Sequence, residues 1–395
     1  MRLLQIGKYQ FKKTENGYAA LPAFGNQFWE KYLDVFEGID ILGEEIRDFL
    51  NVGTFSLITN PKIKVNILPA NTNPKDFKND FTVKKQLEKY IKKSEAILIK
   101  PSSRKGIMAI KIAKKYNKPY FIELTGDINL TLKNHTNILK RLYGPILYRQ
   151  ICKAIADCKY GLYVTEEYLQ KVFPIEGITC GCTDTNILDP RQDVLEKRLL
   201  KIGNMTKASP IKIGLIAWYH DTRKGIDTAI KALQMLNDNR ISLHILGVGT
   251  EEDRNKWFRY AEKRNVKNQL VFDPPVSGVE KVLKWDEEID IMILPSRSEG
   301  LPRSIVEAIS VGCPCIISDV CGMPELVNSK WLHKPGDSKA LCDLIKTMID
   351  NPDEMTKAAN ENFKHSNNYT FSNLKAKRNN FLAEFKDYAE SKRGQ

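Results

Sequence analysis

The sequence predicts an α/β protein built from two doubly wound parallel-sheet domains. Short apolar runs alternate with amphipathic stretches in both halves of the chain, the pattern of strand–helix–strand units. A charged stretch, Thr183–Pro210, separates the halves; it contains Asp189-Pro190 and ends in Ala208-Ser209-Pro210. The 395 residues are enough for two full cores.

In the first half the predicted strands are Leu3–Ile6, Lys64–Leu68, Ala96–Ile99, Tyr120–Leu124 and Gly161–Val164. A helix over Lys105–Tyr116 carries Ile107, Ile110 and Ile112 as its apolar residues. In the second half the strands are Lys212–Ala217, Ser242–Leu246, Gln269–Phe272, Ile289–Leu294 and Cys315–Ser318. A polar amphipathic helix, Phe371–Lys392, ends the pattern with Leu374, Phe381, Leu382 and Phe385 on its apolar side. The domains are expected over 1–190 and 205–370. In open sheets of this type a ligand sits outside the carboxyl ends of the strands, where strand order reverses.

Composition narrows the function classes. No run approaches about eighteen uninterrupted apolar residues, and the first residues are too broken by charge for a secretory signal. The cysteine pairs Cys180/Cys182 and Cys313/Cys315 are C-x-C and lack a second pair at zinc spacing. Reduced thiols and a cytoplasmic protein are expected. The net charge is +13, and residues 1–200 carry +10 of it. The excess includes Lys84, Lys85, Lys89, Lys92 and Lys93, then Arg104, Lys105, Lys111, Lys114, Lys115 and Lys118. Aromatic interleaving is thin and no nucleic-acid motif is present, so nucleic acid is not an expected partner. A solvated lysine face and attraction to an anionic membrane surface remain as readings of this charge.

The most informative segment is Ser296–Asp319, SRSEGLPRSIVEAISVGCPCIISD. Glu299 precedes a Gly300-Leu301-Pro302 loop, and Ser304-x-x-Glu307 fits a capping box that opens a helix striped with Ile305, Ala308 and Ile309. Gly312-Cys313-Pro314 and Gly322-Met323-Pro324-Glu325 follow. Amides at such a helix start can face a diphosphate, and a carboxylate can accept hydrogen bonds from ribose or sugar hydroxyls. The string resembles the donor-site signature of the retaining GT-B glycosyltransferases of family four. Three runs resemble a subgroup acting in bacterial capsular and surface polysaccharide synthesis: an early helix over Phe28–Phe36, then Phe121–His135 and Gly161–Pro174.

The resemblance implies a GT-B fold, with two Rossmann-like domains facing a cleft and the terminal helix crossing back onto the first domain. It implies sugar transfer from a nucleotide diphosphate sugar to a glycan or polyprenyl-linked acceptor. No cofactor beyond that co-substrate, and no metal, is expected, since D-x-D is absent and Lys, Arg and helix amides neutralise the leaving group. The family's Lys-Gly matches Lys224-Gly225; its phosphate arginine is replaced near Trp218, with Arg223 as substitute. Glu299, Lys224 and Arg223 are thus the expected catalytic residues. Glu307, Gly300, Leu301, Pro302, Arg303 and Ser304, with the Gly247/Gly249 turn, are the expected donor contacts. The family's acceptor-side His is absent from Glu123–Asp127, leaving Glu123, Asp127 and His135 as candidates. A sugar-nucleotide epimerase of the same fold and a non-catalytic nucleotide-sugar or glycan-binding subunit remain alternatives. The protein is expected to be cytoplasmic and peripheral on the inner membrane face.

Overall fold

Strand β1 (Arg2–Thr14) organises the first unit because it pairs on both edges. In the computed structural model, which describes residues 1–21, 24–46, 55–71, 74–133 and 137–393, the chain divides into two units. These are Met1–Cys182 with Lys375–Gln395, and Thr183–Leu374. Each is described by itself.

In the first unit, β1 lies parallel between β3 (Gly38–Glu45) and β6 (Ala96–Ile99). β5 (Ile63–Leu68) extends the β3 side, and β7 (Tyr120–Leu124), β8 (Tyr160–Tyr163) and β9 (Ile178–Gly181) extend the β6 side, all parallel. Leu3, Leu4, Ile6, Ile97 and Ile99 are buried, as expected of strands covered on both faces. Past a register shift, β1 turns into an antiparallel hairpin with β2 (Gly17–Ala20), which also pairs with β4 (Ser56–Leu57). The unit's helices are α1 (Asn26–Glu30), α2 (Asp80–Lys93), α3 (Arg104–Lys115), α4 (Ile128–Lys133), α5 (Ile138–Ile155) and α6 (Tyr168–Val172).

In the second unit, six parallel strands are described: β10 (Ile211–Ile216), β11 (Ile241–Leu246), β12 (Leu270–Asp273), β13 (Ile291–Leu294), β14 (Cys315–Ser318) and β15 (Leu332–His333). Their spatial order is β12-β11-β10-β13-β14-β15. The order reverses between β10 and β13, which makes their carboxyl ends the switch point. The helices are α7 (Gln192–Gly203), α8 (Ile226–Leu236), α9 (Glu251–Glu262), α10 (Val279–Glu288), α11 (Arg303–Ser310), α12 (Ser338–Asp350), α13 (Pro352–Ser366) and α14 (Phe371–Ser391). From Lys375 onward α14 belongs to the first unit, where Phe385 meets Phe121 edge-on at 4.7 Å between ring centres and Tyr160 at 5.6 Å.

Three expectations change. The Thr183–Pro210 linker contains α7, which buries Val194, Leu195, Arg198 and Ile202 within the second unit. A buried arginine interrupts that apolar stripe; Arg198 donates to the carbonyls of Asp286 and Ile289 where α10 ends. The second unit therefore starts at Thr183 rather than 205. The expected helix over Phe28–Phe36 is confined to α1, because Trp29, Tyr32 and Phe36 turn into the core and the chain enters β3 at Gly38. The central strand β3 was hidden in sequence by its glycines and acids.

Candidate functional site

Two loops meet at the switch point of the second unit. The first follows β10 and ends in the turn Thr222–Lys224. Gly225 then starts α8 at φ 75°, a left-handed conformation suited to glycine. A Cβ there would lie 2.0 Å from the Pro295 carbonyl oxygen, so glycine also permits the close approach of the second loop.

That second loop follows β13 and carries Glu299. Lys224 Nζ donates to Glu299 Oε1 at 2.7 Å, and Ser296 Oγ donates to the same oxygen at 2.8 Å. Lys224 is 25% exposed and Glu299 12%, so the pair is sheltered yet reachable. Arg223 makes a forked contact with Asp221, through Nε at 2.9 Å and an η nitrogen at 2.7 Å. That hydrogen-bonded pairing raises the Arg223 pKa. Burial pushes the Asp221 carboxyl up, but the bonds from Arg223 outweigh it and hold the group below its usual range. Arg223 thus carries a built-in counter-ion.

Sequence reading missed Arg297. Its guanidinium forks onto Asp227 of α8 at 3.0 and 2.7 Å and donates to the Thr222 carbonyl at 2.8 Å. Its backbone N–H donates to the Arg223 carbonyl at 2.8 Å. One residue therefore ties the Lys224 turn to the Glu299 loop. The available signal was an arginine two residues before the key glutamate, facing an acid in the first turn of α8.

Gly300 and Leu301 lead through buried Pro302 into α11. The predicted capping box does not form. Pro302 is the N-cap, Ser304 lies inside the first turn, and no side chain caps the helix. The Glu307 carboxylate accepts instead from Arg303 Nε at 2.8 Å, one turn back. The physical reason is register: helical geometry begins at Arg303, which moves Ser304 off the cap position and brings Arg303 and Glu307 to i, i+4 spacing. Burial raises the Glu307 pKa, and Arg303 opposes the rise. Behind it, Asp286 of α10 is fully buried and neither carboxyl oxygen has a hydrogen-bond partner. Burial pushes its pKa well above the ordinary value, Glu307 adds to the rise, and Arg198 opposes it.

Gly247 follows β11, where a Cβ would lie 1.8 Å from the Ala217 carbonyl oxygen. Glycine lets the β10 and β11 ends run side by side. Gly249 is exposed beside the Tyr219 ring and precedes the Thr250 cap of α9. Cys313 and Cys315 are buried; burial pushes the Cys313 thiol up to about 12.

The acceptor-side candidates lie in the first unit. Glu123 is buried on β7, 3.0 Å from Lys100 Nζ, and accepts from Tyr32 Oη at 3.3 Å. Nearby in sequence from Lys100, Lys105 opens the buried ion pair with Glu44 at 2.9 Å; burial lowers the Lys105 pKa and Glu44 opposes that. Asp127 caps α4 through the Leu130 N–H at 3.1 Å and accepts from Tyr168 Oη at 2.9 Å, so both its oxygens are engaged. His135 lies outside the described residues.

The comparisons with known proteins fit this geometry. Residues 219–365, which include Lys224, Glu299 and Glu307, match the family Glycosyl transferases group 1. The chain is 28% identical over 391 residues to Protein CapJ of Staphylococcus aureus, covering 98% of this chain and 96% of that protein. It is 29% identical over 181 residues to the amylovoran biosynthesis glycosyltransferase AmsK of Erwinia amylovora, covering 42% and 43%. Over 74 residues, 19% of this chain and 18% of the relative, it is 34% identical to the Escherichia coli UDP-Gal:alpha-D-GlcNAc-diphosphoundecaprenol alpha-1,3-galactosyltransferase. The crystal structure of Anabaena Alr3699/HepE in complex with UDP superposes with a TM-score of 0.65 at 14% identity, covering 97% of this chain and all of that one. The chain thus has two parallel-sheet units of GT-B type, and the second of them carries a domain that matches the group 1 glycosyltransferases.

Proposed function

We propose that this enzyme moves a sugar from a nucleotide diphosphate donor to a growing lipid-linked glycan in bacterial surface polysaccharide synthesis, with retained stereochemistry and without a required metal. The observation that carries the reading is the 2.7 Å pairing of Lys224 with Glu299 across the two strands that flank the switch point. In the reaction the bond between the anomeric carbon and the diphosphate oxygen breaks, and an acceptor hydroxyl forms the new bond. Negative charge collects on the departing diphosphate. Lys224, Arg223 and the first amides of α11 are the groups assigned to meet it. Glu299 binds the donor sugar hydroxyls, and Glu307 accepts from the ribose.

The names of the amylovoran and diphosphoundecaprenol relatives support the pathway class and the lipid-linked acceptor. The described helices include none long and apolar enough to cross a membrane. Such an acceptor would therefore be met by a peripheral protein on the inner membrane face. Glu123 is the acceptor-side group of this reading, with Lys100 as its charge partner.

The test is a screen of nucleotide sugars by thermal shift, followed by transfer assays with and without EDTA. A ligand that binds the native state raises the melting temperature. Transfer to a polyprenyl diphosphate glycan supports the reading. Donor epimerisation without an acceptor, or binding with no turnover, selects one of the two alternative classes.

A further inference from the structure

Helix α5 has two apolar faces and buries only one of them. Gly144, Leu147, Ile151, Ala154 and Ile155 pack inward. Ile138, Leu139, Leu142 and Ile146 are 58%, 72%, 66% and 53% exposed. At about 100° per residue these four fall together on the side of the helix away from the buried row. Exposed apolar residues scattered singly need no explanation, but four on one helical face form a patch.

The charge beside this patch has one sign. From Ile128 to Ile155 the chain carries Lys133, Lys140, Arg141, Arg149 and Lys153, and no Asp or Glu. Arg149 and Lys153 are exposed and continue the apolar face along α5. Gln150 of the same helix borders a groove of about 490 Å³ whose lining includes Lys84, Arg104, Lys111 and Lys115 and one acid, Glu88, which pairs with Lys115. Phe81, 81% exposed, stands one turn before Lys84 on α2.

We infer that this face of α5 docks the protein on an anionic phospholipid bilayer, with Ile138, Leu139, Leu142 and Ile146 entering the interface and the cations meeting lipid phosphates. An apolar face with Lys and Arg at its margin matches a helix lying in the interface plane. Long basic side chains can cover apolar surface while their charges reach headgroups. The α2 and α3 lysines alone are a weaker anchor, since acids of the first unit already engage several of them. Lys92 and Lys115 pair with Glu88, Lys114 with Asp157, and Lys105 with Glu44. The assignment rests on the lipid-linked acceptor reading, for which it supplies the surface that brings the enzyme to its acceptor.

The test is co-sedimentation of the full chain with phosphatidylglycerol-containing vesicles and with phosphatidylcholine vesicles. Binding should need the anionic lipid and fall as salt rises. Leu142→Glu with Ile146→Glu should lower the bound fraction by about tenfold or more. Leu142→Ser with Ile146→Ser is the milder second pair, and both are compared by melting temperature and by donor hydrolysis in water, which should not change. Binding by both variants equal to that of the parent would overturn the assignment. So would equal recovery on neutral vesicles. A lipid-independent loss of self-association in the variants would also overturn it, making the face an interface between copies. Transfer to a detergent-dispersed polyprenyl acceptor separates the two readings: if transfer persists while vesicles are not bound, the docking assignment alone falls.

Discussion

Lys224 Nζ lies 2.7 Å from Glu299 Oε1, although 75 residues separate them in sequence. The two residues follow adjacent parallel strands, β10 and β13, whose carboxyl ends open at the point where strand order reverses. In the proposed reaction an anionic donor would compete with Glu299 for Lys224, leaving Ser296 as the partner of the carboxylate.

Lys224→Ala should therefore affect turnover more than donor affinity, since leaving-group charge grows in the transition state. A fall in kcat of about a hundredfold or more is expected at saturating donor. Steady-state kinetics with unchanged kcat would place the diphosphate elsewhere.

Glu307→Ala should weaken nucleoside diphosphate binding by about 1.5–3 kcal/mol, the scale of a charge-assisted hydrogen bond. The pH dependence follows from the direction of its pKa. Burial raises it, so the carboxylate gains its proton at a higher pH than an ordinary glutamate does. The carboxylate is the accepting form, and affinity should rise as pH increases through this elevated pKa. Glu307→Gln should flatten that limb in calorimetry. A parallel pH profile in the parent and the Gln variant would remove Glu307 from the ribose.

Arg297 is expected to act by position. Arg297→Ala should lower kcat by about tenfold or more through loss of the aligned Lys224–Glu299 geometry, with a smaller change in donor dissociation constant. Arg297→Lys should recover little, because an ammonium cannot fork onto Asp227. Full rescue by Lys would show that only the charge matters, and equal losses of binding and turnover would indicate general loosening of the loop.

Asp286 should make stability depend on pH. Its folded pKa is raised by burial, so between the unfolded value of about 3.9 and the folded one the native state binds more protons than the unfolded state. Stability contributed here falls as pH rises through that window. Asp286→Asn keeps the shape and removes the ionisation. Its melting temperature should exceed the parent's at about pH 8, and the gain should vanish near about pH 4. A variant less stable than the parent at the higher pH would show that Asp286 is ionised and held by Arg198.

The sequence by itself determined the architecture and which residues stand as candidates for the donor side. Period-2 and period-3.6 apolar runs located β6, β7 and β14 at their observed bounds, because strands buried on both faces write continuous apolar runs. The Glu299–Glu307 string lies within one loop and helix, so its spacing could be read directly. Only the tertiary structure decided what each side chain touches. Arg297 reaches Asp227 across 70 residues, Lys224 reaches Glu299 across 75, and Arg198 reaches the carbonyls that close α10. Strand order sets these meetings, and strand order is not a local property of the chain. The same holds for failures of local reading. A buried arginine concealed α7, and a two-residue shift in helix start, from an expected cap at Ser304 to Pro302, left the Arg303–Glu307 pair in its place. Burial completed the division: it raised Asp286 and Glu307 and left Ile138, Leu139, Leu142 and Ile146 exposed, because packing against neighbouring elements decides which of two apolar helix faces is covered.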